Sequence, residues 1–415
     1  MKIGEFEPDD FLKPETLLDP YDYYQQAIAH APVQKINVPD GSHFYLVTSH
    51  ALIHEVFSRE NDFCSSMKQG FLLGRYPDDP EIQAILSKGW HKANVLVSAD
   101  PPTHTAQRQL TSKGFSPRLV KAMEDHIRAK TVDLIQGFEA KGECEFISEF
   151  VLKLLVNVIA EQVGAAGYES DVKKWTEAIA DRMGQCASRE REVECARTIV
   201  EAQHFIKKVI DDRRARPRDD FMTAMVHAQS ENPDESDEVL IEMVIQLLVG
   251  GHETGTITLS DGLLLLINNP ELMNRLQDNP GDIPMFVEEI ARYISAVGAT
   301  FRFAIHDTEL GGVVVPKHSM VMLRLAAANR DPSVFPDPDR IDIDRPKLSN
   351  HLGFGRGIHI CPGRALATLE LKIAFEELLR RLKNIRLNEG RNKFERSVGW
   401  VSTGLKELHI SFDSP

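Results

Sequence analysis

The chain has 415 residues, 42% of them hydrophobic and 27% charged, which is ample material for a buried core and carries no compositional mark of disorder or of a fibre. Asp and Glu number 62 against 48 Lys and Arg, and the formal net charge of -14 repels phosphate backbones and anionic lipid, so nucleic acid is excluded as an expected partner. The five cysteines (Cys64, Cys144, Cys186, Cys195, Cys361) are scattered and include no Cys-x-x-Cys pair, which argues against a disulfide framework and a structural zinc site.

Residues 1–10 carry Lys2, Glu5, Glu7, Asp9 and Asp10 and no apolar run, so no signal peptide or membrane anchor is expected and the cytoplasm is the default compartment. After the turn signal Pro39-Asp40-Gly41-Ser42, the β-branched and aromatic run 43–48 predicts a strand. Residues 116–214 repeat apolar side chains at helical spacing, as at Val151, Leu154, Leu155, Val158 and Ile159, with polar breaks at 164–167 and 183–188. Several amphipathic helices are expected there.

Two polar stretches, 216–220 and 229–238, precede a long apolar segment over 239–267. Glu242, His252, Glu253 and Asp261 fall inside it, and charges of that density are costly in a bilayer, so it predicts a long central helix and not a membrane span. A helix is predicted over 284–295, then short strands at 300–305, 313–315 and 321–325. A Pro- and Asp-rich meander over 331–346, a helix over 365–382 and a strand-like end over 400–412 follow. The fold class is mainly α with small β-sheets, and no internal repeat is visible.

The most informative run is Phe354-Gly355-Arg356-Gly357-Ile358-His359-Ile360-Cys361-Pro362-Gly363. Three glycines and a proline around one cysteine describe a tight loop whose amides can point at sulfur, and the following helix places its positive end there, favouring a thiolate. A lone cysteine is more often a plain core residue, but here the whole run needs explaining. Zinc is a rival ion, since His351 and His359 could join Cys361, yet a fourth ligand is missing. One thiolate with an open opposite face suits haem iron better.

The run resembles the F-G-x-G-x-H-x-C-x-G signature of the cytochrome P450 superfamily, with every fixed position present. The resemblance implies that Cys361 is the axial ligand of haem b, that Phe354, Gly355 and Gly363 shape the loop against the haem, and that His359 contacts a propionate. Glu289-Ile290-Ala291-Arg292 pairs a carboxylate and a guanidinium on one helix face and resembles the family's E-x-x-R, a structural lock to the meander. Arg340 or Arg345 would complete that network, and Ser295 stands where many relatives carry proline. In Asp100-Pro-Pro-Thr-His104-Thr-Ala-Gln-Arg108, His104 and Arg108 lie one helical turn apart and could clamp a carboxylate. The segment is similar to the family's propionate-binding D-P-P-x-H-x-x-x-R, and Arg302 matches a further propionate ligand.

Within the long helix, Gly250-Gly251-His252-Glu253-Thr254-Gly255 combines poor helix formers with a hydroxyl that competes for backbone carbonyls, and so predicts a kink or bulge. Glycine there could equally serve close helix packing. The run resembles the family's [AG]-G-x-[DE]-T, which implies dioxygen bound near Gly251, Glu253 as the acid and Thr254 as the alcohol; His252 is read as non-catalytic. The family fold implies one domain over 1–415, with a β-containing N-terminal part, a helix-rich core holding haem between the central and cysteine-loop helices, and a C-terminal β hairpin. A substrate pocket is expected from Met67, Phe71, Leu72 and Trp90 in the loop 63–97, from Leu247, Leu248, Val297 and Thr300, and from the turn near Val401. A small, largely apolar guest would fill it.

The activity so implied is monooxygenation: O2 is the co-substrate, and electrons pass from NAD(P)H through a reductase and a ferredoxin-type donor docking near Arg356, Arg364, Lys113 or Arg108. No flavin or iron–sulfur motif is visible in the chain. A peroxide-driven enzyme and a non-catalytic haem sensor or carrier are the alternatives. Glu253 and Thr254 argue against the former.

Overall fold

The computed structural model describes residues 6–39, 41–66, 76–183, 187–231 and 236–413. The apolar segment of the sequence forms a single helix, Asp237–Ile267, running through the centre of the helical part. Ser236 caps its start by accepting the Val239 N–H, Asp237 and Glu238 occupy the positive first turn, and Asn269-Pro270 ends the run and opens the next helix. Among the described residues, no helix is long and apolar enough to cross a membrane.

Two apolar clusters grip this helix. Toward its start, Leu240, Ile241, Val244 and Leu248 pack with Ile159, Trp175, Ile206 and Phe221 from helices Leu152–Gln162, Glu169–Met183, Arg189–Ala215 and Phe221–Ser230. Toward its end, Leu259, Leu263 and Leu266 pack with Phe286, Ile290 and Phe375 from helices Ile283–Ile294 and Arg364–Arg381. Each of these helices buries the stripe that its 3.6-residue spacing creates.

A five-stranded sheet covers one side. Its order is Val33–Asn37, His43–Val47, Met320–Leu323, Thr300–Ala304 and Phe63–Cys64, parallel only between the second and third. Alternation on strand Thr300–Ala304 buries Arg302 and Ala304 and sets Arg302 opposite Val321, which aims a guanidinium at the interior. The strand-like end divides: Thr403–Leu405 pairs with Arg396–Val398 as a hairpin, whereas His409–Asp413 joins Glu143–Glu145 and Lys383–Leu387. The stretch 63–97 is not all loop, since Pro80–Leu86 is helical behind an Asp79 cap.

Candidate functional site

The cysteine loop turns through two left-handed residues, Gly355 (φ 67°) and Gly357 (φ 70°), where any side chain would be strained. A single helical turn over Gly357–His359 follows, and the Cys361 N–H donates to the Phe354 carbonyl at 2.9 Å, closing the loop. Gly363 lies beside the sulfur, where a Cβ would make ordinary contacts at 3.9 Å to Cys361 Sγ and 4.0 Å to the Phe115 ring, and helix Arg364–Arg381 begins immediately after it. Burial pushes the Cys361 thiol up, while the Gly363 and Arg364 amides and the Arg108 and Arg364 guanidiniums favour the thiolate. Burial wins in the protein alone, so loop dipoles do not suffice and a cationic partner is needed to hold sulfur ionised.

Four cationic or potentially cationic groups converge beside this loop. His104 and His359 pack with ring centroids 4.1 Å apart and planes tilted by 46°, and His359 Nε2 lies 3.0 Å from Ser65 Oγ. The Arg302 guanidinium sits 5.3 Å from the Phe57 ring centroid and donates to the Phe301 carbonyl at 2.8 Å. Burial, reinforced by Arg302 and His104, drives His359 down to about 3, and burial drives Arg302 down to about 10. His104 and Arg108 are lowered by burial too. Asp100 offsets part of the repulsion, but both its oxygens already accept amides, from Ser65 at 2.7 Å and Ser66 at 2.8 Å. Two guanidiniums and two imidazoles next to a cradled thiol are a donor set that a dicarboxylate macrocycle with a central metal would satisfy, so these residues fit haem.

The central helix continues through 250–255 as α-helix, without a π-bulge. The hydroxyls satisfy themselves locally: Thr254 Oγ1 donates to the Gly250 carbonyl at 3.1 Å, Thr256 to His252 at 2.7 Å and Thr258 to Thr254 at 2.8 Å. Glu253 is exposed and accepts from Ser402 Oγ at 3.5 Å. His252 is buried between the Leu248 carbonyl and Thr176 Oγ1, on another face. The glycine assignment is corrected. A Cβ on Gly251 would meet Ile159 at 3.0 Å, which makes Gly251 a packing residue, whereas one on Gly250 would meet nothing within 4 Å.

Glu289 and Arg292 are fully buried and joined by two hydrogen bonds of 2.7 and 2.8 Å. Arg345 is the third side chain of the network, donating to Glu289 at 3.3 Å, while Arg340 supplies a carbonyl to both arginines. Ser295 caps the helix at φ 49°, with its hydroxyl on the Arg292 carbonyl. Proline is held near -65° and could not adopt that geometry, so the departure at this position is a different chain path. His351 is engaged at both ring nitrogens, by Glu288 Oε2 at 2.8 Å and by the Gly353 N–H at 3.1 Å, which removes it as a zinc ligand.

The pocket expectations fare less well. Leu247 and Leu248 are core residues of the first apolar cluster; the uncovered strip of the central helix is Gln246, Val249, Gly250, Glu253 and Thr254, the spacing of one helix face. Trp90 packs on His204, with ring centroids 5.0 Å apart, and exchanges backbone hydrogen bonds with the Gln203 side chain. Val297 and Thr300 are half-buried beside Val401, whose carbonyl accepts the Gly298 N–H at 2.6 Å, but Val401 itself lines a separate cleft. Met67, Phe71 and Leu72 lie outside the described residues. Counting back from Thr254 in steps of four, to Gly250 and Gln246, would have found the strip. Ser65 carried no such local signal.

The cytochrome P450 family model matches residues 41–280 and 283–408. The chain belongs to the cytochrome P450 family, and it is a monooxygenase of the helix-rich fold that this family shares. It is 33% identical over 383 residues to the mycinamicin IV hydroxylase/epoxidase of Micromonospora griseorubida, covering 91% of this chain and 92% of that one. It is 35% identical over 323 residues to the 6-deoxyerythronolide B hydroxylase of Saccharopolyspora erythraea, covering 77% and 78%. A myxobacterial cytochrome P450 solved with myristic acid superposes with a TM-score of 0.85 at 28% identity, over 99% of this chain and all of that one.

Proposed function

We propose that this P450 inserts one oxygen atom of O2 into a small, largely apolar organic substrate. Electrons reach it from NAD(P)H through a reductase and a ferredoxin-type protein, in the cytoplasm, with residues 1–415 acting as one haem-thiolate domain. The observation that carries the reading is the convergence of His104, Arg108, Arg302 and His359 beside the cradled sulfur of Cys361. Cys361 would ligate the iron of haem b, and those four side chains would bind its propionates. When bound, haem supplies the redox and oxygen chemistry, made electron-rich by a thiolate ligand.

The chain's own part is to position and to deliver protons. Thr254 presents its hydroxyl on the uncovered strip of the central helix, where its donor can leave the Gly250 carbonyl for a reacting oxygen while its lone pairs accept a new proton. Glu253, one residue earlier and exposed, is placed to bring that proton from solvent, with Ser402 orienting its carboxyl. Val297 and Thr300 would bound the substrate on the sheet side. The myristic acid found with the myxobacterial neighbour supports an apolar guest. For the electron donor, Arg356 is exposed with no ion pair among the described residues, whereas Arg364 is engaged by Glu288 at 2.9 Å and Lys113 by Glu231. Arg356 is therefore the strongest docking cation of the group.

Two measurements test this. The reduced protein under carbon monoxide should show the red-shifted band of thiolate ligation, absent in Cys361→Ser. Thr254→Ala should lower product per NAD(P)H and raise hydrogen peroxide release, whereas unchanged coupling would overturn the proton-delivery role.

A further inference from the structure

A second cavity, of about 480 Å³, lies between the N-terminal segment and the end of the central helix. It is separate from the Thr254 strip: the central-helix residues lining it include Leu264 and Leu265, about 15 Å further along the axis at 1.5 Å per residue. Its volume is in the range of sites for small organic molecules. Leu17, Leu264, Leu265 and Ile294 make one wall apolar, and Leu18 at the rim is 50% exposed.

The opposite wall holds a buried cation. Arg324 is 5% exposed; its Nε donates to the Tyr24 hydroxyl and its Nη1 to the Trp400 carbonyl. Nη2 makes no hydrogen bond among the described residues and lies 3.4 Å from where a Cβ on Gly298 would stand, on the cavity wall. No carboxylate is paired with Arg324 among the described residues. Asp261 is held by both Nη atoms of Arg396, at 2.7 and 3.1 Å, and Asp19 is exposed at the rim. A buried guanidinium with a spare donor beside an apolar trough is a half-completed ion pair.

We infer that this cleft is a second ligand site, distinct from the haem pocket, and that it takes an amphipathic carboxylate whose head group engages Arg324 Nη2 and whose chain lies along Leu264 and Leu265. The site touches the substrate region through one turn. Arg324 holds the Trp400 carbonyl, and the adjacent Val401 carbonyl accepts the Gly298 N–H, in the segment that also carries Val297 and Thr300. Occupancy bears on the wall of the substrate pocket through that turn.

The test uses the haem-loaded enzyme with its iron blocked by excess 4-phenylimidazole, whose own spectral shift reports independently on the haem reading. Radiolabelled decanoate is then followed by equilibrium dialysis. One saturable equivalent should still bind. Arg324→Gln should weaken it by about tenfold or more, the loss expected for a hydrogen bond to a charged group. Leu264→Trp, which fills the trough and leaves Arg324 in place, should abolish it without altering phenylimidazole binding. Decanol should bind at least tenfold more weakly than decanoate, by the same reasoning. No residual decanoate binding in blocked enzyme, equal binding of decanol, or binding untouched by Leu264→Trp would each overturn the inference.

Discussion

His104 and His359 come from elements 255 residues apart in the chain and meet at 4.1 Å between ring centroids, with their planes tilted by 46°. In the proposed reading both rings face the propionates of haem. Arg302 belongs to the same group, and losing its charge removes a charged hydrogen bond, so Arg302→Met should release haem to excess apomyoglobin roughly 10 to 100 times faster. An unchanged release rate would remove Arg302 from the propionate set.

The Glu289 network should respond asymmetrically. Arg345→Met leaves Glu289 with Arg292 and the Asp342 N–H at 2.9 Å, whereas Glu289→Gln strips the charge that both arginines share. Breaking a buried pair from one side costs about 3–5 kcal/mol, so Glu289→Gln should fall in that range in urea unfolding, and Arg345→Met well below it. Equal losses would contradict the placement of Arg345 as the outer member.

Gly250 and Gly251 of the central helix separate packing from chemistry. Gly251→Ala drives a methyl against Ile159 and should lower thermal stability, by about 1–3 kcal/mol, with little change in carbon monoxide binding. Gly250→Ala meets no protein atom within 4 Å and should raise stability slightly, by about 0.5–1 kcal/mol, while slowing carbon monoxide rebinding after flash photolysis. The reverse pattern would place the oxygen-facing glycine at Gly251.

Glu370 gives a pH signature. It is buried, and burial pushes its carboxyl up from 4.5 to about 8. The folded state keeps a proton that the unfolded chain releases, so between pH 4.5 and about 8 this group makes stability fall as pH rises. Glu370→Gln should flatten that slope, a gain of a few kcal/mol near pH 8 relative to the parent in urea unfolding. Parallel pH profiles for the two proteins would show that Glu370 is ionised in the fold.

What could be read from the sequence was what is encoded locally. The Cys361 run, the Glu289 and Arg292 pair and the His104 and Arg108 pair each need only a few neighbouring residues, and the long helix announced itself by length and hydrophobicity. The two-residue strand Phe63–Cys64 left too short a pattern, since its pairing is made by the distant strand Thr300–Ala304. The choice of Arg345 over Arg340 depended on how the meander folds back on Glu289. Leu247 and Leu248 were misplaced for a geometric reason: a helix apolar on most of its faces does not say which of them other helices will cover, and here they cover those two.

The central helix resembles a beam fixed at both supports. Leu240 to Leu248 anchor one end and Leu259 to Leu266 the other, in separate apolar masses, and the reactive stretch around Thr254 bridges the gap between them. Side chains remote from Thr254 thus hold both ends of the stretch that carries it, so in the proposed reading the facing walls can change shape without loosening that hold.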